Sequence, residues 1–487
     1  MRILEWLIVL STLVCTLGYL FGARLKRPAV IVLLSLPIVF LAAHALLEGL
    51  RSFMIPAYAS AILAILLLIG SRSPAGTQKK RFAGRKRGAR IGMYAFLAAI
   101  ILLNSASLYL IHLLPVFKLP EPTGTYGIGT VQVNLIDESR EETFGGEPQS
   151  KREVPINIWY PADKEAIQGK HHERYPREVA DAVSLVFGLP SWLLGHVSLV
   201  PTHIVEGVAV SDAQSSYPVV LFSPGVRSTR FQSMAIIEEM VSNGYIVVGM
   251  DHPYSSARVK LHDGSEVIYA PESEEWTSSE IYDHNVIGVG VRAQDAIFVL
   301  DSLTAWNTND PRGLLTEKLD LSKVGIFGHS YGGATTAEAL ALDERFKAGL
   351  SLEGGFWGTV SSTSLKQPFM YIMTGNTIRS LDPSSGATEK VVYDEFDSDM
   401  RYVMNHALND TYYLEVEGFY HQSFTDIALF SPPLFSKDMD PVHTVDISRA
   451  YTRAFFDQYL LDKEQELLKG PAAAYPEVHF QKERWMD

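Results

Sequence analysis

The chain has 487 residues, 47% hydrophobic and 20% charged, with a formal net charge of −13 and a single cysteine. That length accommodates more than one domain, the lone Cys15 excludes a disulfide framework, and the acidic balance disfavours electrostatic capture of nucleic acid. The charge is unevenly divided: up to residue 115 there are 13 Lys plus Arg against 2 acids, and beyond it 29 against 53, a net −24.

The first 115 residues hold four apolar stretches, at about 3–21, 29–47, 53–70 and 91–114, each of 18 residues or more. Each is long enough to read as a helix crossing a hydrocarbon core. Pro37 and Pro56 fall inside two of them, which membrane helices tolerate better than soluble ones. Between the third and fourth stretches lie Arg72, Lys79, Lys80, Arg81, Arg85, Lys86, Arg87 and Arg90 without an acid, and between the first and second lie Arg24, Lys26 and Arg27. Basic loops stay on the cytoplasmic side, so the 48–51 loop and everything after 114 are expected outside. A cleaved signal peptide is the alternative for the first stretch, with Arg2 as its basic region and an end near Gly22-Ala23. Three spans would then remain, with the same side for the rest of the chain.

Residues 116–125 read as a linker, centred on Lys118-Leu119-Pro120-Glu121-Pro122-Thr123-Gly124, and 126–487 as one domain. In that domain strand and helix patterns alternate, predicting an α/β fold with a mostly parallel sheet and helices on both faces. Strands are expected at 156–160, 219–223 and 245–251. The segment 182–200 is nearly as apolar as a membrane span but is broken by Gly188, Pro190, Gly195 and His196. A fifth crossing would part strands 156–160 and 219–223, which belong to one sheet. The segment therefore reads as a cap over a pocket, a shallow membrane contact, or a buried helix pair. Asp251-His252 ends a strand and resembles an acid–base pair, although it precedes the nucleophile described next. Helical spacing of Ala296, Val299, Leu300 and Leu303 predicts a helix over 292–303, and an amphipathic helix is expected over 447–468.

Gly328-His329-Ser330-Tyr331-Gly332-Gly333 directly follows the apolar run Val324-Gly325-Ile326-Phe327 and precedes a helical pattern. A strand entering Gly-x-Ser-x-Gly and leaving as a helix presents serine on a sharp turn, and glycines two positions either side remove the Cβ atoms that would collide there. A serine hydroxyl needs a histidine base and an orienting carboxylate. Of 14 histidines, His421 follows the strand-like run 411–416 on a loop, where the order Ser, acid, His places the base; His406 and His443 fit less well. For the acid, Glu353 stands at the end of the strand-like run 348–352, and Asp382 is the second candidate.

The run Gly-His-Ser-Tyr-Gly-Gly-Ala-Thr at 328–335, the acid 23 residues after the serine, and His421-Gln422-Ser423-Phe424-x-Asp426 resemble the platelet-activating-factor acetylhydrolases of the plasma and intracellular lipase-like type. Bacterial dienelactone-hydrolase-like esterases are similar. The likeness runs from about Gly127 to the end, including Ile156–Pro161 and Pro218–Gly225. It implies an α/β-hydrolase fold and an esterase acting on short-acyl or oxidised phospholipids. It also implies an oxyanion hole made by the backbone N–H groups of Tyr331 and Val226. Two departures stand out: the family's usual Asp is Glu353 here, and its usual His-Gly at the oxyanion loop is Pro224-Gly225.

The expected activity is therefore that of a membrane-anchored serine esterase, outside the cell, with Ser330 as nucleophile, His421 as base and Glu353 as the orienting acid. It would need no metal and no organic cofactor. Its partners would be a lipid-like or other small ester and the bilayer, with no nucleic acid. A peptidase or polyester hydrolase would use the same three residues. A non-catalytic membrane sensor would need none of them, and the presence of all three argues against it.

Overall fold

The computed structural model describes residues 2–20, 26–70, 87–145, 150–271, 276–381 and 390–486. The chain divides into two compact units, one of Met1–Phe117 with Pro190–Val200 and one of Lys118–Leu189 with Pro201–Asp487.

The first unit is built from helices α1 (Ile3–Leu20), α2 (Arg27–Ala43), α3 (Ile55–Gly70) and α4 (Arg87–Leu113). Three helical stretches, Arg27–Glu48, Ser52–Ile69 and Ile91–Leu113, are long and apolar enough to cross a membrane, and Ile3–Tyr19 is a shorter apolar helix. Ala57, Ala61 and Ala64 of α3 are fully buried at helical spacing, so small side chains let the neighbouring helices approach closely. Large apolar groups such as Ile31, Val32, Ile38 and Val39 point outward instead. Pro37 lies inside α2, whereas Pro56 is the second residue of α3, where its missing N–H costs no intrahelical bond. Polar groups gather at one end of this unit. Glu5 and Arg51, both buried, pair at 3.1 Å, His44 lies 2.7 Å from the Tyr58 hydroxyl, and Arg51 donates to the Leu114 carbonyl. Arg2 reaches the Glu48 carbonyl at the same end. Of the basic residues in the loops, Arg24 and 72–86 lie outside the described residues.

The second unit contains strands β1 (Gly127–Glu141), β2 (Lys151–Ala162), β3 (Ile204–Glu206), β4 (Tyr217–Ser223), β5 (Ile246–Met250), β6 (Arg258–Lys260), β7 (Glu266–Ile268), β8 (Leu319–His329), β9 (Phe346–Leu352), β10 (Phe369–Thr374), β11 (Thr411–Val416) and β12 (Val478–Phe480). Ten of them form one sheet in the order β12-β11-β10-β9-β8-β4-β5-β2-β1-β3, with β6 and β7 as a separate hairpin. From β5 through β4, β8, β9 and β10 to β11 the strands are parallel, while β1 with β2, β2 with β5 and β11 with β12 are antiparallel. The central strands read as unbroken apolar runs because both faces are covered: Val219 to Phe222 and Ile246 to Val248 are fully buried. This is the α/β-hydrolase architecture. The register pairs Ser223 with Gly328 and His329 with Leu352, so the chain leaves β4, β8 and β9 at neighbouring points on one edge of the sheet.

The helices that matter for this edge are α5 (Arg177–Phe187), α6 (Met234–Ser242), α7 (Ser278–Thr308), α8 (Tyr331–Leu342) and α9 (Pro441–Leu461). The apolar segment 182–200 is split: α5 ends at Gly188, whose φ of 62° is a left-handed helix stop, and Ser191–Leu199 form 3-10 turns. The last long helix begins earlier than its apolar spacing suggests. Asp440 accepts hydrogen bonds from the N–H groups of Val442 and His443, Pro441 occupies the first turn, and the helix stops at Asp462. Residues 118–124 are held in place. Thr123 donates its N–H to the Glu239 carboxylate at 2.9 Å, and Arg449 and Arg453 pair with the same carboxylate. Burial alone would raise the pKa of Glu239, but the Thr123 hydrogen bonds and the Arg449 guanidinium outweigh it and hold the carboxyl down to about 2.

Candidate active site

Strand β8 delivers Ser330 to the sheet edge, and α8 carries the chain away from it. Ser330 has φ 56° and ψ −124°, a conformation that L-residues rarely adopt, and its N–H is held by the Leu352 carbonyl at 2.8 Å. The turn is possible because its flanks carry no Cβ. A Cβ at Gly332 would lie 1.9 Å from the Ser223 carbonyl oxygen, and one at Gly328 would lie 2.2 Å from that of Gly332. Gly225, just past β4, faces the serine; a Cβ there would sit 3.4 Å from the Ser330 Cβ.

Glu353 follows the last residue of β9 with φ 58°, and its N–H bonds the Ile372 carbonyl at 2.8 Å. One carboxylate oxygen lies 2.9 Å from His421 Nδ1, and the other accepts from the Thr374 hydroxyl at 3.0 Å. The carboxylate side chain is 3% exposed and the imidazole 36%. A closed acceptor therefore faces an imidazole that opens to the cavity. His421 starts a turn after β11, and Asn376 donates to the Phe419 carbonyl at 2.6 Å, tying the segment after β10 to this loop. Farther along it, the buried Asp426 accepts from the Tyr175 hydroxyl at 2.6 Å and from the Ala235 N–H. Burial pushes the Asp426 carboxyl up to about 7.

The other candidates lie elsewhere. His406 contacts the Tyr402 carbonyl, His443 pairs with Glu477, and Asp382 is outside the described residues. Asp251 pairs with Arg230. His252 belongs to a separate array: Ser223 Oγ is 3.0 Å from its Nε2, and Asp295 is 2.8 Å from its Nδ1. All three are fully buried, so no substrate reaches this second serine. Burial pushes His252 down to about 3, which keeps it neutral. Arg152 bridges Asp295 and Glu142, and Arg292 donates to Ser223 Oγ at 2.9 Å and to the Pro224 carbonyl. A sequence signal for this network exists: Arg292 and Asp295 interrupt the apolar stripe Val289, Ala293, Ala296, Val299 of α7, and charges on a buried stripe must be paired.

Two cavities meet at Ser330, His421 and Val226. One, of about 360 Å³, has an apolar wall from α5 (Val179, Ala182, Val183, Val186, Phe187) together with Ile427 and Phe430. The other, of about 560 Å³, is lined by aromatic and polar groups that include Trp276, His284, Arg292, Tyr331 and Trp357. The amphipathic end of α5 thus forms part of the pocket wall while Leu185 remains exposed.

A comparison with protein families matches residues 114–469 to the family described as platelet-activating factor acetylhydrolase, isoform II. Among curated relatives, a probable 1-alkyl-2-acetylglycerophosphocholine esterase of Arthroderma benhamiae is 26% identical over 392 residues, covering 75% of this chain and 94% of that protein. The platelet-activating factor acetylhydrolase of Gallus gallus is 23% identical, over 73% of this chain and 87% of its own. Among solved structures, a ferulic acid esterase from Streptomyces cinnamoneus has a TM-score of 0.58 at 24% identity, over 75% of this chain and 99% of that one, a likeness of fold.

Proposed function

Because the chain belongs to the platelet-activating factor acetylhydrolase isoform II family and is a carboxylic ester hydrolase of the α/β-hydrolase fold, we propose that it is a membrane-anchored serine esterase using Ser330, His421 and Glu353. The observation that carries this reading is the 2.9 Å bond between Glu353 and His421 Nδ1, made beside the same cavities that the strained Ser330 lines. With Nδ1 donating to the carboxylate, His421 Nε2 is left as the base. It takes the Ser330 proton as Oγ bonds the ester carbonyl carbon, and the carbonyl electron pair moves onto oxygen. The N–H of Tyr331, at the start of α8, and that of Val226 would bind the oxyanion. The alcohol leaves with the proton held on His421, and water activated by the same histidine clears the acyl group from Ser330.

The substrate class is a short-acyl or oxidised phospholipid ester, supported by the names of the relatives and by the apolar α5 wall. The four N-terminal helices would anchor the enzyme, with the hydrolase unit outside the cell. A fluorophosphonate probe tests the chemistry. It should label the detergent-solubilised protein and leave Ser330→Ala unlabelled, and equal labelling of both would remove the assignment. An ester panel of increasing acyl length, in solution and in vesicles, should show preference for short chains; a rise in rate with long acyl chains would contradict that part.

A further inference from the structure

The peptide joining Pro224 to Gly225 is gripped at both of its polar atoms. Its carbonyl accepts from the buried Arg292, and the Gly225 N–H donates to Gln232 Oε1 at 2.9 Å. The bonding continues from there. Gln232 Nε2 lies 3.0 Å from His329 Nδ1, and His329 Nε2 lies 2.8 Å from the carbonyl oxygen of His421. Every donor direction in this chain is determined. A carbonyl can only accept, so His329 Nε2 carries the proton; Nδ1 of a neutral ring then accepts; and the Gln232 amide must turn its nitrogen to His329 and its oxygen to Gly225. His329 is buried, and burial with the neighbouring His421 holds its basicity well below the ordinary histidine value, which keeps the ring neutral. Its ring also packs against that of His421, with centroids 4.6 Å apart.

Resting on the reading of Ser330, His421 and Glu353 above, we infer that Gln232 and His329 are positioning residues: they form a polar strap that sets the Val226 amide of the oxyanion hole against the backbone of the catalytic histidine. One end of the strap is the residue before Val226, and the other is the main chain of His421 itself. Neither side chain takes or gives a proton in the reaction. Their contribution is geometric, because a donor and a base carried on two different loops act on one carbonyl only if the loops are held in register, and a displacement of about 1 Å costs ~10²-fold in rate.

The test uses the full-length protein in detergent. Gln232→Leu removes both amide contacts at similar volume. His329→Asn places an oxygen near the Nδ1 position and keeps the bond to Gln232, but loses the donor to His421. Each single variant should lower kcat by ~10- to 100-fold with KM within about twofold and the melting temperature little changed. The double variant should be no slower than the slower single one, since the strap is broken once. A Gln232→Leu enzyme with kcat within about twofold of wild type, or single losses that multiply in the double variant, overturns the strap. Should Gln232→Leu fail to fold, His329→Gln serves instead. It keeps a donor near the Nε2 position without the Nδ1 acceptor, should show the same fall in kcat, and overturns the strap if it does not. Labelling separates the two levels. A wild-type protein that fluorophosphonate does not label at Ser330 removes the catalytic reading and the strap with it, whereas a labelled, active wild type beside an unaffected Gln232→Leu removes the strap alone.

Discussion

Replacing Glu353 with Gln changes one atom of the group that faces His421 and keeps its volume, so the consequence can be worked from the local bonds. The carboxylate now offers one oxygen to His421 Nδ1 and the other to the Thr374 hydroxyl. If the new amide turns its nitrogen to the imidazole, Nδ1 must accept, the ring proton moves to Nε2, and the base for Ser330 is lost. The comparable tautomer error in a serine protease lowers kcat by ~10⁴. If the amide turns its oxygen to the imidazole, the tautomer survives and only the negative charge is lost. At a separation of about 4 Å and an effective dielectric of about 20, that charge is worth about 4 kcal/mol to the imidazolium, or ~10³ in rate. Either orientation predicts a loss of at least ~10³ in kcat, with KM and melting temperature little changed. Turnover of a p-nitrophenyl ester, alongside thermal unfolding, measures it. A Glu353→Gln enzyme keeping more than about a tenth of wild-type kcat refutes the reasoning. Loss of activity in Asp382→Asn instead would transfer the role to that residue.

Gly332→Ala should open the serine turn, because the new Cβ would meet the Ser223 carbonyl at 1.9 Å and both are held in secondary structure; a melting temperature several degrees lower and loss of Ser330 labelling are expected, and an unchanged variant would count against the packing argument. Asp426 has a folded-state pKa raised from 3.8 to about 7, so the native state binds the proton more tightly and its stability falls as pH rises through that window. Asp426→Asn keeps a carbonyl acceptor for Ala235, and its melting temperature should fall less than that of wild type between pH 5 and 8; parallel curves would exclude the effect. For topology, a protease added to intact cells should cut the hydrolase unit and spare the loop at 72–90, and the reverse pattern would invert the orientation.

Chain order and local pattern carried far at this site because the turn around Ser330 is a local device. The apolar run, the two glycines and the helical pattern lie within about 20 residues, and each is written in consecutive side chains. Glu353 and His421, picked as the ends of strand-like runs, lie within hydrogen-bond distance because parallel strands β9, β10 and β11 all deliver their carboxyl ends to one edge. The mostly parallel sheet was legible for the same reason, since strands buried on both faces announce themselves as continuous apolar runs. Residues 118–124 read as a linker from their Pro and Gly, and composition gives no sign of the bond from Thr123 to Glu239, 116 positions away, that holds the segment.

The sequence by itself determined the division into an apolar N-terminal region and an acidic remainder, and the strand–Ser330–helix order, because both depend on the composition, periodicity and spacing of near neighbours. Only the tertiary structure decided that His252 closes a sealed array with Ser223 and Asp295, that Arg292 and Gln232 grip one peptide from opposite ends, and that His329 bonds the backbone of His421. Except for Gln232 and Gly225, which are 7 residues apart, these are hydrogen bonds between buried or half-buried polar groups distant along the chain. Their partners are chosen by which donors and acceptors burial strands together, and no local pattern of residues encodes that choice.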